Sequence, residues 1–147
     1  GPHTIDRFSS HYNSHTFRFN SRFSSPGSEA VDALYLNWAG ENNWLCPPVH
    51  LIPDAISHMK QCKAVGTLIV PCWPTAYFWP LLHSSSGTFA PFVKSFTVLP
   101  KRHDLLVPGP GQLQFYRRKP PLFSACPSFD MLALRVDCRF VNTLVLA

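Results

Sequence analysis

Asn43-Trp44-Leu45-Cys46-Pro47-Pro48-Val49 is the stretch on which the fold turns. Gly40-Glu41-Asn42-Asn43 reads as a turn feeding a short apolar strand, Trp44-Leu45-Cys46. Pro47-Pro48 stops that strand, because neither proline has a backbone N–H to give to a ladder. The chain therefore leaves the sheet here, at the point where an α/β fold places its functional loops. Beyond it Leu51, Ile52, Ala55, Ile56 and Met59 recur at helical spacing, with Pro53 in the first turn and Lys60 and Lys63 near the end, which predicts a helix. Val65-Gly66-Thr67-Leu68-Ile69-Val70 follows as a continuous apolar run, the signature of a strand buried on both faces.

The flanks give shorter elements, because fifteen prolines punctuate the chain. Towards the N-terminus, His3 to Phe8 is expected as a first strand, Phe17-Arg18-Phe19 as a second, and Ala30 to Leu34 as a brief strand or turn. Towards the C-terminus, Thr75 is placed to cap a short helix through Trp79, Leu81 and Leu82. Ser95 to Leu99, Gln112 to Tyr116 and Met131 to Val136 are expected as strands. The order of elements indicates an α/β fold with a mixed sheet and antiparallel pairs near the C-terminus. Gly1-Pro2-His3 reads as the remnant of a cleaved tag, leaving 4–147 as one domain.

At 46% hydrophobic and 14% aromatic, the 147 residues have the composition of a packed domain rather than of a disordered segment. No apolar run approaches the roughly 20 residues of a membrane span. The five cysteines are odd in number and lack the CxxC spacing of a zinc ribbon, so neither a metal nor a disulfide framework is expected. Reduced thiols suit an intracellular setting, nuclear or cytoplasmic, rather than a secreted one. The net charge of +5 favours a polyanionic partner without demanding one. Arg7, Arg18 and Arg22 lie among Phe8, Phe17, Phe19 and Phe23, and Arg117, Arg118 and Lys119 follow Phe115 and Tyr116. Cations interleaved with aromatics suit phosphate contact and base stacking. An ordinary solvated surface over buried rings explains the same pattern.

A strand ending in a small polar residue, then Pro-Pro, then an aromatic is how amino-methyltransferases hold a target base. The polar side chain accepts from the exocyclic amine, and the aromatic stacks on the flipped base. Cys46-Pro47-Pro48-Val49 stands at that place, with Asp32-Ala33-Leu34 and Asn37-Trp38 before it and Leu68 to Thr75 and Phe78-Trp79 after it. In this order the segments resemble the phage-type DNA adenine methylases. Ile5 to Ser10 with Asn13, Arg18 to Ser21, Ala30 to Ala33, Pro47-Pro48 with Leu51-Ile52, and Leu68 to Pro71 with Trp73-Pro74 resemble more closely the methyltransferase-like domain of tyrosine-recombinase (DIRS-type) retrotransposons. The resemblance implies a single Rossmann-like methyltransferase domain inside a polyprotein, with other retroelement domains and nucleic acid, DNA before RNA, as partners. It also implies an S-adenosylmethionine pocket at the strand C-termini, with Asp6 and Ser9 near the methionine end and Asp32 on the ribose or adenine. Asp6 as a cap and Asp32 as a strand terminator are the plainer roles for those carboxylates.

Two residues depart from the methylase pattern. Cys46 stands where Asn or Asp belongs, and a thiol is a weak acceptor. Val49 stands where the stacking aromatic belongs, although His50 follows it. The glycine-rich turn of a cofactor loop is also missing after Asp6, where the chain reads Arg7-Phe8-Ser9-Ser10-His11. The expectation is a DNA adenine-N6 methyltransferase-like domain with weakened or lost activity. A non-catalytic nucleic-acid-binding or scaffolding module is the alternative. A ribonuclease H-like domain using Asp6, Glu29, Asp32 and Glu41, and a thiolate nucleophile at Cys46 or Cys72, are more distant ones.

Overall fold

The computed structural model describes residues 2–9, 13–22, 26–99 and 130–140. Seven strands are present: β1 (Ile5–Asp6), β2 (Asn20–Ser21), β3 (Ala30–Val31), β4 (Asn42–Leu45), β5 (Val65–Pro71), β6 (Val93–Leu99) and β7 (Met131–Asp137). One α-helix, α1 (Ile52–Cys62), lies among the described residues, together with 3-10 turns at Ala33–Tyr35, Val49–Leu51 and Trp79–Leu82. The fold is mixed α/β.

Five strands make one sheet in the order β1-β4-β5-β7-β6. β1, β4 and β5 run parallel, and β7 is antiparallel to both of its neighbours, β5 and β6. β2 and β3 form a parallel pair of their own. That pair continues the larger sheet past β1: Asp6 and Phe19 form a parallel bridge, Asp6 N–H donates to Arg18 O, and Ser9 N–H donates to Asn20 O. The strands thus succeed one another as β3-β2-β1-β4-β5-β7-β6, with β7 alone reversed.

The segment that decides the fold behaves as its chemistry requires, with one shift. β4 begins at Asn42 and ends at Leu45, so the asparagines taken for a turn are strand residues. Asn43 is fully buried, yet every polar group of its side chain is used. Its Nδ2 donates to the carbonyls of Trp38, Glu41 and Val65, and its Oδ1 accepts from Arg7 Nε. An amide so completely paired costs little to bury. Pro47-Pro48 then turns the chain out of the sheet and into α1, which returns it to β5. Ile52, Ala55, Ile56 and Met59 form the buried stripe of α1, as the helical spacing predicts.

This stripe packs on Leu45, Leu68, Val70, Leu132, Leu134 and Val136 from the sheet, with Trp38 and Phe78 closing the core. The opposite face carries His3 against Trp44, and His3 Nε2 pairs with Thr67 Oγ1. β5 and β7 are the longest pair, registered from Val65 with Asp137 to Pro71 with Met131.

Other expectations shift for identifiable reasons. β1 is only Ile5–Asp6, because Arg7 and Phe8 turn away after it. The second strand lies at Asn20–Ser21 rather than Phe17 to Phe19: Phe17 is exposed, and polar Asn20 faces inward to accept from Arg7. Ala30 to Leu34 divides into β3 and a 3-10 turn at Asp32. Thr75 caps no helix; the chain makes a single 3-10 turn, Trp79–Leu82, after Phe78. β6 starts two residues before Ser95. The expected strand Gln112 to Tyr116 lies outside the described residues.

Gly66 sits opposite Asn43 in the β4–β5 ladder, and a Cβ there would stand 2.3 Å from the Asn43 carbonyl oxygen. Because the obstacle is backbone, it cannot move aside without breaking the ladder. Gly66→Ala is expected to lower stability by about 3 kcal/mol, as overpacking does at a closed site, read as a shift in urea midpoint. An unchanged midpoint would contradict this packing.

Candidate functional site

A cleft of about 330 Å³ opens beyond the carboxyl ends of β1, β2, β3 and β4. Arg7, Phe8 and Ser9 reach it from the end of β1, Ser21 and Arg22 from β2, Asp32 and Leu34 from β3, and Pro48, His50 and Leu51 from β4. Parallel strands bring four successive chain exits to one edge, which is why residues distant in sequence meet here. The expected site residues Arg7, Ser9, Arg22, Asp32, Pro48 and His50 all line this one cleft.

Arg7 is the anchor. It is 5% exposed, and its guanidinium donates from Nε to Asn43 Oδ1 at 2.8 Å, from Nη1 to Asn20 Oδ1 at 2.8 Å, and from Nη2 towards Asn37 O at 3.4 Å. It also lies 6.0 Å from the Trp38 ring centroid. Burial pulls its pKa below the ordinary guanidinium value, while the charge on Glu41 and then Glu29 opposes that shift. Arg7 therefore builds the cleft wall instead of reaching a phosphate at the surface. Arg18 is spent as well: it bonds Glu29 at 3.0 Å and Glu41 at 2.8 Å. Arg117, Arg118 and Lys119 lie outside the described residues.

The two aspartates part company. Asp6 is buried, accepts from the backbone N–H of Phe8 and of His15, and is not among the cleft-lining residues. Burial raises its pKa, with those two amides acting the other way. Its role is that of a cap on the turn after β1. Asp32 stands in the cleft with φ 59°, a left-handed conformation that aspartate tolerates because its side chain bonds locally. That local bond is the one from Leu34 N–H to Asp32 Oδ1, which starts the 3-10 turn.

Among the described residues of the turn after β1, the backbone donors of Arg7, Phe8 and Ser9 are all used. Arg7 N–H donates to Trp44 O, Phe8 N–H to Asp6 Oδ1, and Ser9 N–H to Asn20 O. The Ser9 hydroxyl is different. Ser9 is 8% exposed, and its Oγ lies close enough to Asp6 to favour the carboxylate, yet it makes no hydrogen bond of acceptable geometry.

The segment after β4 presents Pro48, His50 and Leu51 to the cleft. Pro47 is buried, and Val49 packs against the hydrophobic core. Burial, followed by the nearby Asp6 charge, pushes the Cys46 thiol up to about 12. A protonated thiol is neither a nucleophile nor a useful acceptor. Tyr77, which the sequence reading passed over, reaches this loop from the segment after β5 and donates to Val49 O at 3.0 Å. Phe8, Leu34 and Leu51 supply the apolar part of the cleft wall, while Trp73 and Trp79 pack against the core elsewhere.

Glu29 and Glu41, the remaining members of the carboxylate set considered for a metal-dependent nuclease, are held by Arg18 away from Asp6 and Asp32. Among the described residues, no three His, Cys, Asp or Glu side chains stand together to hold a metal. Nor is any helix there long and apolar enough to cross a membrane. No protein-family model matches the sequence, and no curated protein matches it.

The state of Cys46 is directly readable. With alkylating reagent near neutral pH, Cys46 is expected to stay unmodified in the native chain and to label fully in denaturant, as followed by peptide mass mapping. Rapid native labelling would contradict a protonated thiol.

Proposed function

We propose that the chain is a DNA adenine-N6 methyltransferase-like domain of a retrotransposon polyprotein, with a single Rossmann-like fold that keeps the nucleoside cleft and has lost methyl transfer. The observation that carries this reading is the strand order. β3-β2-β1-β4-β5 is the order of a doubly wound dinucleotide-type sheet, and its ligand crevice belongs outside the carboxyl ends of the central strands. The cleft lies there, between the exits of β1 and β4. The reversed β7 between β5 and β6 agrees with the antiparallel C-terminal pairs expected from the order of elements.

The residues fit S-adenosylmethionine only in part. Asp32 is placed to accept from ribose hydroxyls, and Phe8, Leu34 and Leu51 offer an apolar wall to an adenine ring. Among the described residues after β1, the amides of Arg7, Phe8 and Ser9 are all used and none is left for the methionine end. When bound, the cofactor would supply an electrophilic methyl group. On the acceptor side, Cys46 has no carbonyl or carboxylate with which to hold an exocyclic amine, and Val49 has no ring to stack on a base. Loss of that stacking contact alone removes about 1–3 kcal/mol from base binding.

The same features weigh against a surface nucleic-acid clamp built from Arg7 and Arg18, since one is buried and the other is paired with two glutamates. Incubating the chain with S-adenosylmethionine and adenine-containing DNA, then quantifying N6-methyladenine by mass spectrometry, is expected to give no product above a no-protein control. Turnover-dependent methyladenine formation that disappears in Cys46→Ala would overturn the loss-of-transfer reading.

A further inference from the structure

Asp6 joins two stretches of chain that are not neighbours in sequence. Its backbone is fixed on both sides, since it pairs with Trp44 in the β1–β4 ladder and its N–H donates to Arg18 O. The residue is 1% exposed, and its two carboxyl oxygens hold separate amides. Oδ1 accepts from Phe8 N–H at 3.2 Å, and Oδ2 accepts from His15 N–H at 2.9 Å. One side chain therefore ties both ends of the segment that leads from β1 towards β2. That segment borders the cleft, which Phe8, Ser9 and Asn13 line.

The surroundings of Asp6 include a partner for a proton. The Ser9 hydroxyl is buried beside the carboxyl group and makes no hydrogen bond of acceptable geometry. A hydroxyl both donates and accepts, so it can give its proton to a carboxylate or receive one from a carboxylic acid. Among the described residues, two other titratable groups act on Asp6. His15, whose ring lies 4.8 Å from that of Trp44, favours the carboxylate by its charge. Cys46, at the end of β4, is itself held protonated by burial and by Asp6. Arg7 and Arg18 direct their guanidinium groups elsewhere, to Asn43 and Asn20 and to Glu29 and Glu41. Burial outweighs the two amides and His15, so the carboxyl group titrates above its ordinary range.

We infer that Asp6 is a proton-operated latch on the cleft wall: ionised, it holds the Phe8 and His15 amides together, and protonated, it donates to Ser9 Oγ and releases one of them. Release at either end frees part of the wall formed by Phe8, Ser9 and Asn13, and release at His15 also loosens its ring from Trp44. Because folding favours the neutral carboxyl group, its contribution to stability is full below the unfolded carboxylate pKa and is lost as pH rises through the folded one. Closing the latch thus costs stability, and a proton relieves it. The inference holds whatever the cleft binds and does not rest on the proposed function.

Carbon-13 NMR of the Asp6 carboxyl group, titrated on the intact chain together with the Phe8 and His15 amides, tests it. Asp6 is expected to titrate above the ordinary value of 3.8, and at least one of the two amides is expected to shift with the same midpoint. Below that midpoint the protection of the released amide from exchange is expected to fall about tenfold, as for the loss of one charge-assisted bond. The step is expected to persist in His15→Phe, which keeps a ring beside Trp44, and to vanish in Asp6→Asn. Should either variant fail to fold, the shared midpoint in the unsubstituted chain still decides the matter. An Asp6 midpoint at or below 3.8, or amides that do not follow it, would overturn the inference and leave the proposed function standing. So would a step that survives in Asp6→Asn or disappears in His15→Phe.

Discussion

A buried guanidinium whose hydrogen bonds, among the described residues, go to neutral oxygens is the constraint on which this structure depends. Removing a charge from water costs several kcal/mol even after relaxation, and Arg7 recovers that cost through neutral amide oxygens. Asn43 Oδ1 belongs to β4 and Asn20 Oδ1 to β2, so one side chain fastens the central sheet to the short β2–β3 pair. β2 and β3 have two residues each, too few for their ladder bonds to hold them in place alone. Without Arg7 both amide oxygens would be buried unpaired, each at a cost of about 1–3 kcal/mol. The cleft exists because this fastening aligns four strand exits on one edge.

The same network decides which groups the cleft can offer. The Arg7 guanidinium fastens the strands, and the amides of Arg7, Phe8 and Ser9 are drawn into the sheet and the Asp6 cap. The cleft is lined by side chains, Asp32 and His50 among them. On the β4 side, enclosure keeps the Cys46 thiol protonated and core packing holds Val49.

What could be read in advance follows from where the sequence carries periodicity. α1, β5 and β7 were legible because Ile52 to Met59 repeat at helical spacing and because Val65 to Val70 and Met131 to Val136 are nearly unbroken apolar runs. β2 was misplaced because its inward residue is Asn20, and nothing local says that an asparagine faces a buried arginine thirteen positions earlier. Asn42 and Asn43 resembled a turn for the same reason: their burial is compensated by partners from β1, from β7 and from the segment before β4. The cleft was legible in Ser9, Asp32 and Pro48 through the ends of predicted strands. Arg7 was assigned to nucleic acid because net charge and nearby phenylalanines give no sign of burial. Phe8, Leu34, Leu51 and Tyr77 join the site through topology alone.

The most direct test of the account is the solvent exchange of the Arg7 Nε proton, followed by nitrogen-15 NMR on the native chain. Held at 2.8 Å by Asn43 and shielded from water, that proton is expected to exchange orders of magnitude more slowly than those of exposed arginines and to show contacts to Asn43 and Trp38. Exchange as fast as that of exposed Arg139 would contradict the buried fastening and, with it, the alignment of strand exits that forms the cleft.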